Sequence, residues 1–125
     1  MKVSLPKIAK SLPGPADAES PDGRFFAEAF AHGTMTLEVF APQGEDRPAQ
    51  HHQDRLFLVA SGHSVTHLGD EAGEAAAGDA LLVQAGEMVR FQAMSEDFVC
   101  WVVSWGPEGG EAEAPSPSVF AAIDA

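Results

Sequence analysis

PAQHHQDRLFLVASG (residues 48–62), SVTHLGDEAGEAAAGDALLVQAGEMVRF (64–91) and SEDFVCWVVSWGP (95–107) make up the stretch whose reading decides the fold. Short apolar runs alternate there with glycine-centred turns, the rhythm of a small antiparallel β-barrel. His51 and His52 stand at its entrance, two adjacent imidazoles able to ligate a metal or move a proton.

Working outward, the strands fall at Asp54–Ala60, His63–Leu68, Ala80–Val83, Met88–Gln92 and Phe98–Trp105. EAGEAAA (71–77) reads as a weak short strand or loop. Ser61-Gly62, Gly69-Asp70 and Gly86 mark turns. Upstream, RFFAEAFAHGTMTLEVFAP (24–42) predicts a hairpin turning at His32-Gly33. Phe26, Glu28 and Phe30 share one face of its first strand, and Met35, Leu37 and Val39 recur at period two in its second. Alanines and Glu28 favour a helix for RFFAEAFA, but the β-rich surroundings favour a strand. PQGEDRP (42–48) reads as a polar turn. Residues 1–23 form a lead-in, with KVSLPKIAK as an edge strand because Pro6 is tolerated at an edge, followed by a loop. The barrel spans 24–107. Residues 108–125 read as a flexible acidic tail, whose closing VFAAIDA forms a helical turn, docks on an apolar patch or is disordered.

Composition bounds the rest. The chain has 125 residues, enough for one domain to bury a core without disulfides, and Cys100 is its single cysteine. Inside FVCWVV that thiol reads as a small buried hydrophobe. Nineteen acidic against 7 basic residues give a net charge of −12, which repels nucleic-acid backbones and anionic membrane surfaces. No run is long enough for a membrane helix and no signal-peptide core is present, so cytoplasm is the expected location. LFLV, ALLV and FVCWVVSW are apolar on both faces, which predicts coverage on both sides and hence a homodimer.

These residues resemble the cupin superfamily. GDALLVQAGEMVRF is similar to its second motif, G-x5-P-x-G-x2-H-x3-N, and HHQDRLFLVASG to its first, which contains H-x-H-x3,4-E-x6-G. Gly62, Gly78 and Gly86 stand where the motifs place turn glycines. The resemblance implies an all-β jelly-roll barrel of antiparallel strands, commonly dimeric, with a metal held by two His and one Glu from the first motif and one His from the second. Counted back from Gly62, the glutamate position is Arg55 and the histidine positions are Ala49 and His51. Counted from Gly44, they are Gln50 and His52. The second motif's proline, histidine and asparagine become Gln84, Val89 and Ala93.

A divalent metal wants three or four converging N, O or S donors. One ligand survives here, and a guanidinium, which cannot ligate, replaces the carboxylate. Adjacent on a regular strand, His51 and His52 point to opposite faces. No cofactor is therefore expected, with His51 and His52 the remaining candidates for a metal or a general base. Arg55 is the more informative residue. Pointing into the barrel, it grips an anionic ligand in bidentate fashion or pairs with Glu87 or another acid as pure structure. Phe57, Val59, Val89, Phe91, Trp101 and Val103 line the interior by period-two counting, as core or as an apolar pocket wall. Trp105 is wall or dimer contact. Ser64, Thr66 and Leu68 point inward by the family's alternation, leaving His63 and His67 outside and about 13 Å apart, too far for joint ligation.

Three functions compete. The first is metal-free binding of a small molecule inside the barrel, anions among the candidates, with ligand contacts from His51, His52, Arg55, Phe57, Val89, Phe91 and Trp101. The second is a cupin enzyme, either a metal-dependent dioxygenase or isomerase or a metal-independent sugar epimerase or isomerase. The third is a solid-cored dimeric interaction module. The residues favour the first.

Overall fold

The computed structural model describes residues 1–18, 20–44 and 46–112. Among them a short helix, α1 (Leu5–Ala9), precedes nine strands: β1 (Phe26–His32), β2 (Met35–Phe40), β3 (Asp46–Gln50), β4 (Asp54–Ser61), β5 (His63–Leu68), β6 (Glu71–Ala76), β7 (Ala80–Val83), β8 (Met88–Gln92) and β9 (Val99–Trp105). They form a five-stranded sheet ordered β1-β2-β9-β4-β7 and a four-stranded sheet ordered β3-β8-β5-β6. Every strand pairing is antiparallel. The two sheets are the walls of the expected jelly roll. No helix among the described residues is long and apolar enough to cross a membrane.

Gly62 makes the sharp passage from β4 in one sheet to β5 in the other. Its φ is +74°, and a Cβ there would meet the Phe98 backbone, with Cα at 2.6 Å and N at 2.7 Å, as well as Ser95 Oγ. Only glycine allows both the dihedral and the approach.

Between the sheets lies a core built on phenylalanines. Phe91 of β8 meets Phe40, Phe57 and Phe98 with ring centroids 5.2, 5.3 and 5.7 Å away, while Phe26 stacks on Phe40 at 4.2 Å. Such pairs add roughly 0.5–1.5 kcal/mol each beyond the area they bury. Val59, Val83, Val89, Cys100 and Val102 complete the core. Burial pushes the Cys100 thiol up to about 12, so it stays protonated and inert.

Several expectations are corrected. KVSLPKIAK is no edge strand: Pro6 sits in the first turn of α1, where its missing N–H costs nothing, and α1 packs against β1 and β2. The predicted turn at 42–48 ends early, because β3 begins at Asp46 and pairs with β8, Pro48 being tolerated on this edge strand. The polar character of DRPAQ masks it. A bulge between Glu28 and Phe30 moves Phe30 to the face opposite Phe26 and Glu28. EAGEAAA resolves as the strand β6.

Trp101 and Val103 do not line the interior. Arg55 pairs with Ser104, Phe57 with Val102 and Val59 with Cys100 across β4 and β9, and directly opposed residues share a face. The inward row of β9 is therefore Cys100, Val102 and Ser104. Trp101, Val103 and Trp105 share the outer face with Leu56 and Leu58. In β2 the same logic turns Glu38 and Phe40 inward, opposite Val102 and Cys100. Ser64 and Thr66 are buried, with His63 exposed, as expected. The closing VFAAIDA lies outside the described residues.

Candidate functional site

Arg55 is sealed inside the barrel at 4% exposure. Its neighbours along β4 explain why: Phe57 and Val59 must face the core, and a period of two carries Arg55 with them. The guanidinium carbon lies 5.1 Å from the Phe57 ring centroid and 5.6 Å from that of Phe26. These rings offer their electron-rich faces to the cation, worth roughly 0.5–2 kcal/mol per contact.

No hydrogen bond meets that charge in full. Nε and Nη2 of Arg55 are buried without a hydrogen-bond partner, and so is Oγ of Ser104, the residue opposite Arg55 on β9. Among the described residues, no carboxylate comes within ion-pair distance of the guanidinium. Glu87, the partner considered from the sequence, instead accepts from the Gln84 N–H in its own turn at 2.8 Å. The acid whose charge Arg55 does feel is Glu38, half-buried on the inner face of β2. Burial raises Glu38 above the ordinary carboxylate range; Arg55 draws it back and Glu28, its cross-strand partner, pushes it up again. Burial likewise pulls the Arg55 guanidinium down, opposed by Glu38, although an arginine keeps its charge in a protein.

The histidine pair lies beside this group rather than across it. β3 ends at Gln50, so strand alternation no longer governs His51 and His52. Their rings stack at 4.2 Å instead of pointing to opposite faces. The Gln53 N–H donates to His51 Nδ1 at 3.1 Å, which leaves the proton of the neutral ring on Nε2. Burial, then the Arg55 charge, then His52 hold His51 below the ordinary histidine value. The loop is tied down from several sides. His51 and His52 carbonyls accept the Gly86 and Gly109 N–H groups, and Gln53 Nε2 donates to the Thr34 and Gly106 carbonyls. Buried Asp54 accepts the N–H groups of Glu111 and Ala85, which hold its carboxyl below the usual range. Residues 109–111, the start of the expected tail, are thereby strapped to the barrel.

The structure decides the motif register. Ala49 and Val89 oppose each other across β3 and β8, both buried, while Gln50 is exposed and its side chain donates to the Gly86 carbonyl. The inward positions are thus Ala49, Arg55 and Val89, with His51 just past the strand end. Two hydrocarbon side chains and a cation stand where the resemblance implies metal ligands. Among the described residues no three His, Cys, Asp or Glu side chains converge. The donor set does not fit a divalent metal.

Of the site residues expected from the sequence, the fold brings Arg55 and Phe57 into contact and places Val89 and Phe91 on the facing wall. Trp101 is outside. Glu38, Phe26 and Ser104 were missed. In MTLEVF the apolar alternation of Met35, Leu37 and Val39 points attention to the wrong face, whereas the single charge in that run was the available signal. Surface clefts flank the mouth, one lined by Gln50, His51, His52, Ala85, Gly86 and Gly109, another by Asp54, Leu82, Gln84, Ala85, Trp105 and neighbouring residues. Arg55 lines neither.

A buried charge without hydrogen bonds costs several kcal/mol, and an apolar side chain of similar volume would not. Arg55→Met is therefore expected to raise the unfolding free energy of the ligand-free protein, by about 1–3 kcal/mol. Glu38→Gln, which strips Arg55 of the Glu38 charge, lowers it. Urea unfolding of both variants checks this; strong destabilisation by Arg55→Met would show that Arg55 is held for structure.

No protein-family model matches the chain, and no curated protein matches it in sequence. Solved structures do. A protein of unknown function from Rhizobium leguminosarum aligns with a TM-score of 0.64 at 18% identity, covering 86% of this chain and 97% of that one. A cupin superfamily protein from Desulfitobacterium hafniense aligns with a TM-score of 0.54 at 16% identity, over 66% of this chain and 76% of its own. KdgF from Halomonas sp. aligns with a TM-score of 0.55 at 20% identity, over 66% and 78%.

Proposed function

We propose that this cupin-fold barrel binds a small anion without a metal, with Arg55 as the group that grips it. The observation that carries the reading is the unpartnered Nε and Nη2 edge of a guanidinium at 4% exposure. Buried polar groups in folded proteins are almost always hydrogen-bonded, and an exception calls for a partner. An anion supplies one: two oxygens satisfy the two N–H groups and neutralise the charge. Ser104 Oγ, unpartnered on the same face, offers a further hydrogen bond. Phe57 and Phe26 hold the fork in place, so little side-chain entropy remains to be lost on binding. His51 and His52, tied by backbone bonds at the barrel end, form the rim. In a thermal-shift screen of small anions, a ligand present at about 100 times its Kd adds about 2.7 kcal/mol and raises Tm by several degrees. Arg55→Met abolishes the shift. A screen in which wild type and variant respond alike overturns the reading.

The outer face of the five-stranded sheet favours a second proposal, a dimer of identical chains. Leu56, Leu58, Trp101, Val103, Trp105 and Leu82 share it, with Leu82 at 53% exposure and Leu58 at 37%. In a chain carrying −12, the one charged side chain that β4, β7 and β9 place on this face is Asp54, which is buried and capped by the Ala85 and Glu111 N–H groups. Two copies bring apolar surface together there while their acids stay at the rim. Sedimentation at micromolar concentration is expected to give a dimer, and Leu82→Glu a monomer with an unchanged fold. A wild-type monomer throughout would contradict this.

A further inference from the structure

We infer that the ligand of the Arg55 site is a monocarboxylate, not a phosphate or other dianion. The inference rests on the anion-binding reading above and names the class of anion. Three features of the molecule lead to it.

The first is the shape of the free edge. Nε–H and Nη2–H lie side by side on one edge of the guanidinium plane, parallel and spaced like the two oxygens of a carboxylate. These are the two Arg55 nitrogens that are buried without a partner. A planar two-oxygen group satisfies both at once.

The second is charge. All seven basic residues of the chain can be placed. Arg90 is bound to Asp46, Arg47 to Asp22, the Gln43 carbonyl and the Phe25 ring, and Arg24 to Asp17. Lys2, Lys7 and Lys10 belong to the α1 segment and line none of this site. Arg55 is therefore the one cation inside the barrel, and Glu38 faces it on the inner row of β2, with Glu28 behind. A monoanion on the fork adds a single negative charge beside Arg55 and Glu38. A phosphate dianion brings a second negative charge toward Glu38 with no further cation to meet it, and like-charge contacts of this kind cost several kcal/mol.

The third is the wall. Phe57 and Phe26 flank the guanidinium, with Phe91 and Val89 facing them from the other sheet and fully buried. Hydrocarbon on these sides supplies no donor for the remaining oxygens of a phosphate or for a polyol. Ser104 Oγ, opposite Arg55 on β9, is the one further unpartnered polar atom on this inner face among the described residues.

Titration calorimetry of the full chain with sodium propanoate, sodium benzoate and inorganic phosphate tests the class. Propanoate and benzoate are expected to bind at least about tenfold more tightly than phosphate, and Arg55→Met to lose all binding. Glu38→Gln narrows the gap by strengthening phosphate, a change that a merely structural glutamate would not produce. Phosphate binding as tightly as the carboxylates, and lost in Arg55→Met, overturns the monocarboxylate class and leaves the anion site standing. No heat with any of the three, or binding that survives Arg55→Met, overturns the anion site itself and the class with it.

Discussion

Across the ladder between β4 and β9, Arg55 faces Ser104, Phe57 faces Val102 and Val59 faces Cys100. Side chains on a strand alternate between its faces, so this one register decides which are sealed inside. It puts the phenylalanine cluster, the buried thiol and the guanidinium on the same surface and sends both tryptophans out. A slip of one residue in β4 would turn Leu56 and Leu58 toward the core and carry Arg55 and Phe57 to the outer face. The phenylalanines resist that slip, because Phe57 is locked between Phe40 and Phe91. Packing of three rings thus holds a charge where solvation alone would never leave it.

Burying that charge works against stability, and the surroundings only partly offset it. Two aromatic faces and one acid beyond ion-pair distance do not replace the five donors' worth of hydrogen bonds that a guanidinium has in water. Proteins keep such groups where a site needs them, commonly at the expense of stability. Ala49 and Val89, paired across β3 and β8 and both buried, close this end of the barrel with hydrocarbon.

Much of the barrel was legible in the sequence. Glycines at turns and the lengths of the apolar runs located the strands from Asp54 onward, since φ > 0 and period-two burial leave direct marks. The phase of β9 was not legible. FVCWVV is apolar on both faces, so either set of alternate residues fits a core, and only pairing with β4 decides between them. Arg55 stood out because a charge in an apolar strand is conspicuous, whereas Glu38 was hidden by the tidy alternation of Met35, Leu37 and Val39. The histidines misled through their adjacency: alternation holds on a strand, and the strand stops one residue before His51. β3 was concealed for a similar reason, as an edge strand beginning Asp-Arg-Pro carries no hydrophobic signal until Ala49.

The central claim is that the Arg55 fork is held for a partner from outside the chain. A high-resolution crystal structure of the protein grown with a bound small carboxylate tests it most directly. The account predicts two ligand oxygens within about 3 Å of Nε and Nη2, with the guanidinium still lying between Phe57 and Phe26. A guanidinium that has instead closed onto Glu38, or whose two nitrogens meet only ordered water while the ligand binds elsewhere, would contradict it.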